Sequence, residues 1–149
     1  MKRSLTLIVL AAAAAIGGGF LYHDNQFRKI HGTVTEVSLV TWEQEVGKAK
    51  DVRPVLVYFY RENDKSADAE AQNKQVRDFA WDTAGKVKVV AVNVSHVENL
   101  PLAFAHGAFR QPGFCFVYGQ DEVAGPSGVL VTADDLKRLL EAVHSHKAN

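Results

Sequence analysis

A proline, six β-prone residues, a charged turn and the start of a helical pattern constrain this chain more than any other stretch. The run is Arg53-Pro54-Val55-Leu56-Val57-Tyr58-Phe59-Tyr60-Arg61-Glu62-Asn63-Asp64-Lys65-Ser66-Ala67. Pro54 lacks the N–H that a ladder needs, so it precedes a strand rather than sitting inside one. Val55 to Tyr60 is therefore expected to be a buried strand. From about Ser66 to about Trp81 the pattern is helical, with Val76, Phe79 and Ala80 at spacings of three and four on one face. Asp64 or Ser66 is placed to cap that helix, and Asp68 and Glu70 suit its first turn. A strand thus delivers the chain to a helix N-terminus, where free N–H groups and the helix dipole commonly carry chemistry.

The flanking segments extend this into an α/β pattern. Thr33 to Val40 reads as a short strand, and Thr41-Trp42-Glu43-Gln44 as a capping box that starts a helix to about Lys50. Lys86 to Val94 is a second strong strand, apolar on both faces as a covered parallel strand would be. Ser95 with Glu98, or Asn99 before Pro101, caps a helix that ends near Gly107. Phe114 to Tyr118 is a third strand, closed by a turn at Gly119-Gln120-Asp121, and a fourth is expected at Gly128 to Val131. Gly125-Pro126-Ser127-Gly128 reads as a turn. Thr132-Ala133-Asp134-Asp135 is another capping box, opening a last helix with Leu136, Leu139, Leu140 and Val143 as its apolar stripe. The order implies a mixed sheet with helices on both faces.

At the N-terminus, Lys2 and Arg3 precede 18 uncharged residues, Leu5 to Tyr22. As a helix these would be roughly 27 Å long, enough to span a membrane. Two readings compete: an uncleaved anchor that uses the whole stretch, or a signal peptide cleaved after Ala13-x-Ala15. Apolarity resumes at Ile16, Phe20 and Leu21, which favours the anchor, and Lys2 and Arg3 would hold the N-terminus in the cytoplasm. The expected organisation is a signal-anchor over residues 1–22, a polar stalk or helix extension over 23–32, and one domain over 33–149. That domain would face the periplasm or extracytoplasmic space, tethered to the inner membrane through residues 5–22, or released to the periplasm after cleavage.

Composition narrows the function classes. The 17 basic and 17 acidic residues balance, and no basic block exceeds two residues, which argues against a nucleic-acid surface built on phosphate contacts. Cys115 is the only cysteine, so neither an intrachain disulfide nor a two-cysteine redox centre can form. Its setting in Phe114-Cys115-Phe116-Val117 predicts burial as a small apolar residue. The histidines, His23, His31, His96, His106, His144 and His146, show no metal-ligand spacing. There is no Gly-rich phosphate loop and no nucleophile elbow around Ser66 or Ser127. No metal and no cofactor is expected.

Taken together, Pro54-Val55-Leu56-Val57-Tyr58-Phe59-Tyr60, the Val87 to Val94 strand with Asn93, and Ala105-His106-Gly107-Ala108-Phe109-Arg110-Gln111-Pro112-Gly113-Phe114 resemble the thioredoxin family over about residues 33 to 146. The resemblance implies a thioredoxin-like fold and a cis peptide bond before Pro112. It also implies that the loop at Gln111 and Gly113 presents extended backbone beside the helix start. At the position of the family's Cys-x-x-Cys this chain has Asp64-Lys65-Ser66-Ala67, and Gly113 stands where a threonine usually follows the cis-proline. Thiol exchange needs a thiolate and a resolving thiol, so oxidoreductase activity is not carried over.

The expected function is that of a non-catalytic, membrane-tethered thioredoxin-like domain for protein interaction, assembly or chaperone-like work. Its binding surface would comprise Tyr60, Arg61, Asp64 and Lys65 with Gln111, Pro112, Gly113 and Phe114. The competing readings are a thiol-dependent redox enzyme using Cys115 alone, and a structural accessory subunit of a membrane protein complex.

Overall fold

The computed structural model of this chain describes residues 23–147. In chain order these form a helix over residues 23–31 (α1), β1 (Val34–Val37), a π-helical turn (Glu43–Gly47), β2 (Val55–Tyr60) and α2 (Ala67–Asp82). Next come β3 (Lys88–Asn93), a short 3-10 turn, α3 (Leu100–Ala105), β4 (Gly113–Tyr118), β5 (Asp121–Ser127) and α4 (Ala133–Lys147). The strands make one sheet in the order β1-β3-β2-β4-β5. β1, β3 and β2 run parallel, and β4 and β5 are antiparallel additions. β2 lies at the centre, which its uninterrupted apolar run requires.

Side-chain alternation along β2 splits the core into two layers. Val55, Val57 and Phe59 join Val90, Val92, Cys115 and Val117 on one face, under Leu102 and Ala103 of α3 and Val46 of the π-helical turn. Leu56 and Tyr58 join Val89, Ala91, Phe114 and Phe116 on the other, under Val76, Phe79 and Ala80 of α2 and Leu136 and Val143 of α4. Each fully buried Val, Leu or Phe contributes about 1.5–3 kcal/mol of transfer free energy. The two layers thus fix which ends of α2 and β2 meet. The mixed α/β sheet with helices on both faces is as the sequence implies.

Capping is set by local chemistry. Ser66 is the N-cap of α2, its Oγ accepting from Ala69 N at 3.2 Å. At the start of α4, Asp135 N donates to Thr132 Oγ1 at 3.1 Å while Thr132 N donates to Asp135 Oδ2 at 2.9 Å. The expected box at Thr41 is built differently. Thr41 Oγ1 reaches back to accept from Ser38 N at 3.0 Å, so the turn starts at Ser38 and leads into a single π-type turn rather than a helix to Lys50.

The fourth strand was expected at Gly128 to Val131; the strand is β5, Asp121–Ser127. Its edge position explains the difference, because an edge strand tolerates Pro126 and leaves half its groups in water. Gly119, at φ +63°, makes the tight β4–β5 turn. At Gly125 a Cβ would come within 2.9 Å of Phe114. Val131 pairs with a side chain instead of a strand: Gln72 Nε2 donates to Val131 O at 3.0 Å and Val131 N donates to Gln72 Oε1 at 2.8 Å.

The N-terminal expectations need correction. Of the stalk and the helix extension left open for this segment, residues 23–31 form a helix, and it is seated on the domain. Arg28 Nη1 donates to the carbonyl of Trp81 at 3.2 Å, and the ring of Phe27 lies against Gly85. Among the described residues no helix is long and apolar enough to cross a membrane. The transmembrane helix, and with it the inner-membrane, single-pass topology and the contact with membrane through residues 5–22, therefore finds no support in the structure. The signal-anchor over residues 1–22 and its cleaved alternative lie outside the described residues.

Candidate functional site

The end of β2, the start of α2 and the loop before β4 converge on one cleft of about 250 Å³. Its floor is aromatic. Tyr58 and Tyr60 are two apart on β2, so they project from the same face, their rings stacked at 5.6 Å. Beneath them Tyr58 stacks on Phe114 at 5.1 Å. The Tyr58 hydroxyl donates to Asn73 Oδ1 at 2.8 Å, and the Tyr60 hydroxyl donates to Glu36 Oε1 at 2.9 Å. Burial, with the charge of Asp64 adding, pushes the Tyr58 phenol up to about 12. Burial and then the Glu36 hydrogen bond raise Tyr60. Both phenols are therefore neutral over the physiological range.

The rim is charged and held in place. Asn93, at the end of β3, accepts from Ser95 N at 2.9 Å and Glu62 N at 3.3 Å and donates to Glu62 Oε2 at 2.9 Å, pinning the turn after β2. Arg61 Nε donates to Gln111 Oε1 at 3.0 Å, which ties that turn to the loop before β4. Asp64 accepts from Ser66 N at 3.0 Å, and hydrogen bonding from Ser66, side chain and backbone, holds its carboxyl below the usual carboxylate range. The Gln111–Pro112 peptide bond is cis. The carbonyl of Pro112 accepts from Gly128 N at 2.8 Å, whereas the backbone N–H and C=O of Gln111 have no partner among the described residues.

Of the residues singled out in the sequence, Tyr60, Arg61, Asp64, Gln111 and Pro112 line this cleft together. Lys65 is exposed outside it. Gly113 and Phe114 are buried in β4. Phe114 supports Tyr58 from below, and a Cβ on Gly113 would come within 2.7 Å of Ala108. The absence of the threonine side chain at that position is thus a packing requirement of this loop.

Tyr58, Gln72, Asn73 and Leu130 also line the cleft and were not anticipated. Two of them had a signal. Tyr58 shares the parity of Tyr60, and Gln72 falls four, seven and eight residues before Val76, Phe79 and Ala80, marking a polar residue on a buried helix face. A second group was invisible to spacing: His106, Cys115 and Glu122 bring one ligand atom each to within 4.8 Å of one another on the opposite side of the sheet.

The cleft offers hydrogen bonding and aromatic contact. Asp64-Lys65-Ser66-Ala67 contains no thiol, and the Ser66 hydroxyl is occupied as a helix cap. Cys115 is fully buried, and burial followed by the charge of Glu122 pushes its thiol up, the reverse of a reactive cysteine's setting.

No protein-family model matches the sequence, and no curated protein matches it. Solved structures do match in fold. Chloroplastic thioredoxin z superposes with a TM-score of 0.61 at 16% identity, over 76% of this chain and 96% of that one. Thioredoxin f from spinach chloroplast, in its long form, gives 0.60 at 22% identity over 83% and 93%. A chain of the complex of ferredoxin:thioredoxin reductase and thioredoxin f2 gives 0.60 at 21% identity over 76% and 96%. The fold is thioredoxin-like, and the dithiol motif is absent from it.

Proposed function

We propose that this chain is a non-catalytic, thioredoxin-like binding domain that holds an extended segment of a protein partner across the cleft between the Gln111-Pro112 loop and the start of α2. The observation that carries this reading is the open backbone of Gln111 at the wall of a cleft floored by Tyr58 and Tyr60. A peptide strand laid there would gain main-chain hydrogen bonds from Gln111, with its side chains on aromatic surface between Arg61 and Asp64. No thiol is needed. The same surface serves an accessory subunit of a protein assembly, whose mark would be a stable stoichiometric partner on purification.

Photo-crosslinkers at residues 64 and 111, compared with one at exposed Lys86, test the reading in cells. Expected is a protein adduct from the first two that Lys86 does not give; equal recovery from all three positions would count against it. The Cys115 redox reading has a separate test. An alkylating reagent should leave the folded protein unmodified, and rapid labelling in native buffer would favour that alternative.

A further inference from the structure

The face of the sheet away from the cleft holds a group that the binding function does not use. His106 closes α3 as its C-cap. Cys115 sits in β4, and Glu122 in β5 pairs with Val117, which shares the face of Cys115. Three separate elements therefore aim a nitrogen, a sulfur and an oxygen at one point, all within 4.8 Å of one another. Glu122 Oε2 lies 2.9 Å from His106 Nδ1. The imidazole is clamped by Trp42, ring to ring at 4.7 Å, with Phe59 beyond at 6.4 Å. Cys115 is 0% exposed, and its thiol has no hydrogen-bond partner among the described residues.

A salt bridge beside an inert thiol would account for the His106–Glu122 contact alone. Apolar packing accounts for the burial of Cys115, but the sulfur also faces that pair with no hydrogen-bond partner among the described residues. We propose that His106, Cys115 and Glu122 form a binding site for a thiophilic divalent cation, zinc in preference, with a fourth position open on the side of Glu122. The donor set supports this. Imidazole, thiolate and carboxylate are the ligands zinc takes, at about 2.0–2.3 Å, which needs donor atoms about 3.3–3.8 Å apart. The present separations, all within 4.8 Å, would have to close by about 1 Å for the widest pair. A buried sulfur excludes calcium and magnesium, which take oxygen.

Binding would replace the His106–Glu122 hydrogen bond with two metal bonds, the Nδ1 proton of the neutral imidazole passing through solvent to Nε2, and would convert the thiol to a thiolate. Cys115–SH and the dication give Cys115–S–metal and one proton, released to solvent. The dication would offset the negative charges of the thiolate and of the Glu122 carboxylate that faces it. The half-exposed Glu122 gives the ion its entry. His106 and Cys115 also bracket residues 107–114, so occupancy would fix both ends of the loop that carries Gln111 and Pro112.

The test is cobalt(II) titration of the chelator-stripped full chain. Expected is saturation at one equivalent, with a near-ultraviolet thiolate-to-cobalt charge-transfer band, quenching of Trp42 and displacement by zinc. Cys115→Ala should abolish the band. Glu122→Gln, at an edge position that leaves the fold intact, should weaken binding by more than the roughly 10- to 100-fold that loss of an outer partner costs. Absence of the band at millimolar cobalt, its survival in Cys115→Ala, or cobalt binding unchanged in Glu122→Gln would each overturn the proposal.

Discussion

Adjacent residues of β4 serve opposite faces of the sheet, and the two faces are built on different principles. Phe114 supports the cleft face, where Tyr58 stacks on it and the buried polar side chains Tyr58 and Gln72 are each paired. Cys115 belongs to the other face, where apolar packing surrounds a thiol without a hydrogen-bond partner among the described residues. On the cleft face a lost side chain removes both packing and the floor on which a partner would lie. On the other face a lost sulfur removes little volume and one potential ligand.

That contrast is open to direct attack at its strongest point. Phe114→Ala should cost about 3–5 kcal/mol, the range for a buried aromatic truncated to alanine. Cys115→Ala should cost about 1 kcal/mol, in line with roughly one heavy atom of burial. Urea unfolding of both variants measures the difference. Similar losses from the two would mean that the faces are energetically alike and that the cleft floor has no special dependence on Phe114.

Gln72 tests the polar half of the comparison. It is buried on α2 and satisfies both backbone groups of Val131, so Gln72→Ala leaves a buried N–H and C=O unpaired. The expected cost is about 2–3 kcal/mol. Hydrogen exchange gives the sharper readout: the Val131 amide should lose protection while the amides of β3 keep theirs. Unchanged protection at Val131 would show that the loop after β5 is held by something other than Gln72.

Next in size is the helix cap at the cleft mouth. Ser66→Ala should destabilise by about 1 kcal/mol, and Ser66→Gly by only a few tenths; urea midpoints that do not separate the two would remove the cap from the rim's architecture. The cap was legible to within two candidates, Asp64 and Ser66, and β2, β3, β4, α2, α4 and the Thr132 box were legible too, because each arises from local periodicity or from a side chain reaching three residues along the chain. What escaped was non-local or on an edge. β5 was displaced because Gly125 and Pro126 carry the composition of a turn, while in the fold they form the register shift between the Ala124 and Ser127 pairings with β4. For residues 23–31 the sequence left a stalk or a helix extension open, and the seat of the helix on the domain escaped because its anchors, Trp81 and Gly85, lie far along the chain, the first of them 53 residues on from Arg28. The cleft was half legible for the same reason: Tyr60, Arg61, Asp64, Gln111 and Pro112 are marked by position in the chain, but Asn73 and Leu130 reach it only through folding. His106, Cys115 and Glu122 have no common spacing to read, since an α-helix end and two strands bring them together.

The smallest effect expected is electrostatic and belongs to the cleft rim. Asp64 has its carboxyl held below the usual value by hydrogen bonding from Ser66, with the charge of Arg61 adding. A carboxylate depressed in the folded state binds its proton more readily once unfolded. Its stabilising contribution is therefore present above the unfolded value, 3.8, and is lost as pH falls through the lower folded value. Asp64→Asn should remove this, so the variant and the parent should differ in thermal midpoint near neutral pH and converge as the pH is lowered below 3.8. Because Asp64 is exposed to solvent, salt should narrow the neutral-pH gap. A gap that widens in acid would reverse the sign of the linkage and with it the claim that Ser66 holds Asp64 in its charged form. A gap independent of both pH and salt would assign the residue's role to packing, and the cleft rim would then resemble the apolar face more closely than its hydrogen bonds indicate.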